Sequence, residues 1–210
     1  MSSYTRLENI YANRFANKYE PYIMPHNTGN ICKDSKYCFV RNPKTGSTSL
    51  NRTLRNYNID YIQVITGHGL PNDNGNQVVF IREPVSRFKS AINWMLYGPY
   101  SKNTPYLQKF KSFRHMMDVT SFELLKSEVL DNDIVFTPQK NWIYPSTSIL
   151  CYEKGMDNEL SKLLGTEINI SNDNKSVVNE TYWENSDESL EHVVKHFYQE
   201  DIDLYNNKCA

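Results

Sequence analysis

YCFVRNPKTGSTSLNRTL, Tyr37 to Leu54, is the stretch that decides the fold of this chain. A short apolar run, Tyr37 to Val40, reads as a buried strand. It enters a tight loop, Pro43-Lys44-Thr45-Gly46-Ser47-Thr48-Ser49, and then a helical pattern. Strand, loop and helix N-terminus in that order make an anion site. The N–H groups of the first helical turn have no intrahelical partner, and the helix dipole favours negative charge there. Lys44 adds a mobile positive charge, and Ser47, Thr48 and Ser49 add donors. The nucleoside-triphosphate loop, G-x-x-x-x-G-K-[ST], does not fit. Here the lysine precedes the glycine, and Asn42 and Pro43 stand where a glycine-rich run is needed. The plainer alternative is a helix capped by serine or threonine after a core strand.

A second stretch, Gln77 to Trp94, reads QVVFIREPVSRFKSAINW. Val78 to Ile81 is a continuous apolar run of the kind a buried parallel strand shows. Arg82 ends it, and Pro84 suits a first helical turn, where its missing N–H costs nothing. Val85, Phe88, Ile92 and Met95 follow at helical spacing. An arginine at a strand end can grip a phosphate through two parallel N–H bonds, and Ser90 on the helix can add a hydroxyl contact. The alternative is an Arg-Glu pair at a helix start with a surface serine. Between the two stretches, Thr66-Gly67-His68-Gly69 forms a polar loop. Its imidazole titrates near neutral pH and can take a proton from a hydroxyl nucleophile. A lone loop histidine is otherwise a solvated side chain.

PKTGSTS resembles the 5′-phosphosulfate loop of sulfotransferases that use 3′-phosphoadenosine 5′-phosphosulfate (PAPS), in the version of the heparan and chondroitin carbohydrate enzymes. Arg82-Glu83-Pro84 with Ser90 resembles the 3′-phosphate motif of the same enzymes, with Glu83 where the family usually has Asp. Gly67-His68 matches the place where uronyl 2-O-sulfotransferases carry their catalytic base. The resemblance is strong over Tyr37 to Trp94 and weaker from Phe136 to Gly165. It implies transfer of a sulfuryl group from PAPS to an acceptor hydroxyl, most of all on a carbohydrate, with no metal. Lys44, Thr45, Gly46, Ser47, Thr48 and Ser49 would hold the 5′-phosphate, and Arg82 and Ser90 the 3′-phosphate. Lys44 would also neutralise the leaving group, and His68 would be the base. The alternatives are a nucleotide-dependent phosphotransferase, or a non-catalytic module that binds nucleotide or glycan.

The chain has 210 residues, enough for a full core in one domain: an N-terminal helix or arm over 1–35, then a nucleotide-binding and acceptor core over 36–210. Lys plus Arg number 23 against 24 Asp plus Glu, so no overall basic field points to nucleic acid. No apolar run approaches the ~20 residues of a membrane helix, and MSSYTRLENIYANRF lacks the apolar core of a signal peptide. A cytoplasmic enzyme of a microbe or virus is expected, or else a catalytic fragment. Cys32, Cys38, Cys151 and Cys209 have no zinc spacing and are expected as free thiols, with Cys38 and Cys151 in core strands. Sequons stand at Asn51, Asn169, Asn174 and Asn179.

The remaining pattern is α/β. Thr5 to Tyr19 has one apolar face, and Ile59 to Ile65 reads as a strand. Tyr97 to Lys111 reads as a long loop and Ser121 to Leu130 as a helix. Phe136 to Trp142 resembles the Pro-Gln segment near the acceptor cleft of carbohydrate sulfotransferases. Ser148 to Tyr152 reads as a strand, Met156 to Leu164 as a helix ending at Gly165, and Asn169 to Asn179 as a polar loop. Leu190 to Leu204 reads as one closing helix. Strands alternating with helices predict a mostly parallel central sheet flanked by helices, and the resemblance implies the P-loop-like sulfotransferase fold.

Overall fold

The structure is a computed structural model that describes residues 36–59, 61–64, 76–97, 134–170 and 187–210. The N-terminal arm, His68, the loop after Tyr97, the helix expected over 121–130 and most of the 169–179 loop lie outside the described residues.

Four strands form one sheet: β1 (Tyr37–Val40), β2 (Tyr61–Val64), β3 (Gln77–Ile81) and β4 (Ser148–Cys151). Their order is β2-β1-β3-β4, and all three pairings are parallel. The expected parallel α/β arrangement is therefore present. Parallel neighbours need crossovers, and the sequence supplies helices: α1 (Ser47–Asn56), α2 (Pro84–Tyr97), α3 (Met156–Leu164), α4 (Asp187–Phe197) and α5 (Gln199–Lys208).

Side chains alternate across the strands, and each face has its own core. Phe39, Val78, Phe80 and Leu150 pack with Leu50 and Leu54 of α1 and Leu160 of α3. Cys38, Val40, Val79, Ile81 and Cys151 face the other way, against Val85, Phe88 and Ile92 of α2 and Val193 and Val194 of α4. Trp142, wholly buried, fills the same layer. β3 is buried along its whole length, which is why it reads as an unbroken apolar run.

Two expectations need correction. The closing helix is two helices, broken at Tyr198 (φ −121°, ψ 31°). The Tyr198 ring packs on Phe88, and its hydroxyl donates to the Phe136 carbonyl at 3.0 Å. The turn brings Asp201 inward, where it is 1% exposed. The second correction concerns thiols. Cys38 is a buried thiol in β1 outside any disulfide, but Cys151 and Cys209 form one. The chain of α5 runs back to the end of β4, and no local spacing announces a pairing 58 residues apart.

Candidate functional site

The sheet order places a topological switch between β1 and β3. From β1 the chain crosses outward to β2, then returns past β1 to β3. The helices that follow β1 and β3 lie on opposite faces, α1 with the Phe39 core and α2 with the Cys38 core. A crevice beyond the carboxyl ends of these two strands is where open α/β sheets take ligands. The two phosphate-type loops of the sequence come together there. Arg82 Nη1 donates to the Lys44 carbonyl at 3.3 Å.

The first loop leaves a helix end open. Gly46 is the N-cap of α1, at φ 76°, with no side-chain cap hydrogen bond and no acid in the first turn. The helical ladder starts with Leu50 N–H donating to the Gly46 carbonyl at 3.0 Å. Glycine is needed at this position for its positive φ and for space. A Cβ there would lie 2.5 Å from Met156 Sδ and 3.2 Å from Tyr152 Cε2. Thr45, which is buried, turns its hydroxyl inward to donate to the Asn42 carbonyl at 2.7 Å, so it closes the loop. Ser47 Oγ accepts from Arg41 Nε at 3.2 Å, Thr48 is exposed, and Ser49 is half-buried.

Lys44 also sits in left-handed backbone, at φ 68°, a conformation that costs a non-glycine residue free energy and collects at ligand-binding sites. Its ammonium lies 5.6 Å from the centre of the Trp94 ring. Burial, then the nearby Arg82 and Arg87 charges, lowers its pKa to about 8. The side chain is therefore packed and electrostatically stressed, rather than mobile as the sequence suggests.

The second loop works through a side chain. Arg82 Nε and Nη2 donate to Ser86 Oγ at 3.1 and 2.8 Å. Its guanidinium carbon lies 4.8 Å from the centre of the Tyr152 ring, and Nε is 3.9 Å from Glu153 Oε1. The side chain still keeps 20% of its surface exposed. Ser86, four residues after Arg82, is thus the serine that orients the guanidinium. Ser90 is half-buried one turn further along α2. Glu83 accepts from the N–H groups of Val85 and Ser86 at 3.0 and 2.7 Å, capping α2 with its own carboxylate.

Sequence reasoning missed four supporting residues. Arg87, buried, donates to the carbonyls of Pro43, Val135 and Thr137 at 3.0, 3.1 and 2.9 Å, which ties the first loop to the 134–137 turn. Burial pulls its pKa down, and Asp201 opposes that. Asn42, Gln139 and Asp201 are buried polar side chains behind the two loops. The Pro-Gln segment, Phe136 to Trp142, thus lies behind the two loops, with its Gln139–Trp142 part a 3₁₀ turn that follows a second one at Ile134–Phe136. Tyr152 and Glu153, which follow β4, both reach Arg82.

Chemically, the described residues bring Lys44 and Arg82 together past the ends of β1 and β3, beside a helix N-terminus without a side-chain cap, with Arg87 buried behind the first loop. Positive groups and free helical N–H donors in that arrangement are able to hold an anion. Among the described residues no cluster of His, Cys, Asp or Glu forms a metal site, and no helix is long and apolar enough to cross a membrane. Comparison with family models, curated proteins and solved structures finds no match to this chain.

Proposed function

We propose that this protein is a PAPS-dependent sulfotransferase with the P-loop-like fold of that family, acting on a hydroxyl, with a carbohydrate as its acceptor. One observation carries the reading. Two anion-holding loops of different design, one an uncapped helix end beside Lys44 and the other a tethered Arg82, meet at the ends of adjacent parallel strands. A ligand with phosphates at both ends of one ribose suits that pair better than a triphosphate strung along one loop.

The residues present fit such a ligand. The first turn of α1 carries no acid that would repel a phosphate, and Lys44 is an ammonium whose burial an anion would compensate. The Lys44 loop and the start of α1 would hold the 5′-phosphate, and Arg82, with Ser86 and Ser90 along α2, the 3′-phosphate. When bound, PAPS supplies an activated sulfuryl group on a phosphate leaving group. Lys44 Nζ stabilises negative charge on that phosphate. His68, outside the described residues, takes the acceptor proton. A cytoplasmic location belongs to the same reading, and the Cys151–Cys209 bond weighs against it, since disulfides are rare where thiols are kept reduced.

The test is thermal stabilisation by adenosine 3′,5′-diphosphate without magnesium, followed by a transfer screen with labelled PAPS across polysaccharides, glycolipids and small phenols. The diphosphate is expected to raise Tm, and ATP to do so weakly. Equal stabilisation by ATP with magnesium points to a phosphotransferase. Diphosphate binding with no transfer to any acceptor points to a binding module.

A further inference from the structure

Behind the two loops lies one side chain that touches both. Gln139 is wholly buried, and its amide makes three bonds. Oε1 accepts from Asn42 Nδ2 at 3.0 Å and from the Arg82 N–H at 2.9 Å. Nε2 donates to the Arg82 carbonyl at 2.7 Å. Asn42 Nδ2 also donates to the Phe80 carbonyl at 2.9 Å, so the end of β1 is joined to β3 as well. Arg82 is the first residue past β3, and its N–H and carbonyl are both held by one side-chain amide. The amide thus continues the sheet ladder one rung beyond the strand. Gln139 is itself fixed from behind. Asp201 of α5 accepts from the N–H groups of Gln139 and Lys140 at 2.7 and 3.0 Å, satisfying the start of the 3₁₀ turn.

We propose that Gln139 is a positioning residue that fixes the separation of the two loops, and so selects a ligand whose phosphates stand at the 3′ and 5′ positions of one ribose. The selection rests on the reading under Proposed function; the bridge does not. Asn42 and Arg82 lie two and one residues beyond their strands, where nothing in a sheet ladder sets their spacing. One buried amide, bonded once to Asn42 and twice to Arg82, spans them from behind, and the Asn42–Phe80 and Arg82–Lys44 bonds add to its hold. Leucine at position 139 fills similar volume and makes none of them. Glutamate keeps the acceptors but cannot donate to the Arg82 carbonyl.

The experiment compares wild type with Gln139→Leu, and with Val193→Ala as a control. Val193 is an apolar residue of the same core that can bond neither loop. Amide hydrogen exchange at Arg82 reads the bridge, and calorimetry with adenosine 3′,5′-diphosphate and adenosine 2′,5′-diphosphate reads the selection. In Gln139→Leu the Arg82 amide is expected to exchange about tenfold faster, the effect of losing one buried hydrogen bond. Affinity for the 3′,5′ isomer is expected to fall about as much, with the preference over 2′,5′ narrowed. Val193→Ala should show none of these changes. A folded Gln139→Leu protein with unchanged Arg82 protection and unchanged preference overturns the proposal, as does a control that behaves the same way. If Gln139→Leu does not fold, Gln139→Glu is read by the same measurements. A wild type that binds neither diphosphate overturns the selection and the nucleotide reading together, while Arg82 exchange still decides the bridge.

Discussion

The loops after β1 and β3 share a plan: a buried parallel strand, a short turn, and a helix on the far side. They treat the helix start in opposite ways. After β1 the N-terminus of α1 is left without a side-chain cap. After β3 the same kind of helix end is filled from within. Glu83 caps Val85 and Ser86, Glu153 accepts from the Glu83 N–H at 3.1 Å, Gln139 takes the Arg82 N–H, and Pro84 has no N–H to offer. No backbone donor from 82 to 86 is left for a ligand, so under the proposed function recognition there falls to the Arg82 guanidinium. The lesson is that a helix start keeps its N–H donors open only when the chain withholds its own carboxylate. It also gives Glu83 a structural task, and its extra methylene relative to Asp still reaches the cap.

The sharpest way to break this comparison is by kinetics. Under the proposed function, His68→Ala should slow single-turnover transfer by about 10²–10⁴-fold, the usual worth of a positioned base. Lys44→Ala should slow it by about 10²–10³-fold, like loss of one electrostatic stabiliser. Both should leave the second loop's grip on the diphosphate largely intact. Arg82→Ala should do the reverse. Affinity should fall by roughly 1.5–3 kcal/mol for each charged hydrogen bond lost, with a smaller effect on the bound rate. Unchanged calorimetric affinity in folded Arg82→Ala would remove the second loop from the site.

Stability separates the two helix starts with smaller effects. Gly46→Ala forces a side chain into left-handed backbone, at about 1–2 kcal/mol, and drives it against Met156 and Tyr152. Since Tyr152 stacks on Arg82, both loops should lose anion affinity. Glu83→Ala should cost about 1 kcal/mol, the worth of a cap, with transfer rate preserved. If denaturant titration finds little loss but transfer collapses, the Glu83 carboxylate acts on the acceptor and not as a cap.

The smallest effects are read by pH. Lys44 titrates at about 8 in the ligand-free protein, and a bound anion favours its charged form. Diphosphate affinity should therefore hold below pH 8 and fall above it, by up to about tenfold per unit, and Lys44→Ala should flatten that fall. Stability moves the other way. The folded pKa lies below the ordinary value of 10.5, so the ammonium opposes folding below pH 8, and this opposition fades as pH rises from about 8 to 10.5. Lys44→Met should melt higher than wild type at pH 7. A lower melting temperature would mean that the Trp94 contact outweighs the burial.

Much of the frame was legible because it is local. Tyr37–Val40, Ser47–Asn56 and Met156–Leu164 match their apolar periods, and Pro84 and Gly165 mark a helix start and a helix stop. The strand-end arginine and the glycine-lysine loop could be read for the same reason. Their supports could not. Gln139 reaches Asn42 across 97 residues, and Asp201 reaches Gln139 across 62, so no window contains both partners. A faint signal existed at Asp201. An acid stands where the closing helix needed an apolar residue between Phe197 and Leu204, and the structure answers it with a break at Tyr198. Ser86, one turn closer to Arg82 than Ser90, carries no signal in the sequence beyond its i,i+4 spacing from the arginine.

The bonds from Asp201 to the Gln139 turn have a consequence for the order in which the protein can mature. Synthesis runs from the N-terminus, so both loops leave the ribosome long before their brace does. At about 5–20 residues per second, the 62 residues separating Gln139 from Asp201 take roughly 3–12 s to make. Over that interval a nascent chain can carry both loops without the Asp201 bonds that hold the Gln139 turn behind them. Its Cys151 also waits, unpaired, for Cys209. Under the proposed function, a soluble polyanion present during translation would meet a looser site than the finished protein offers.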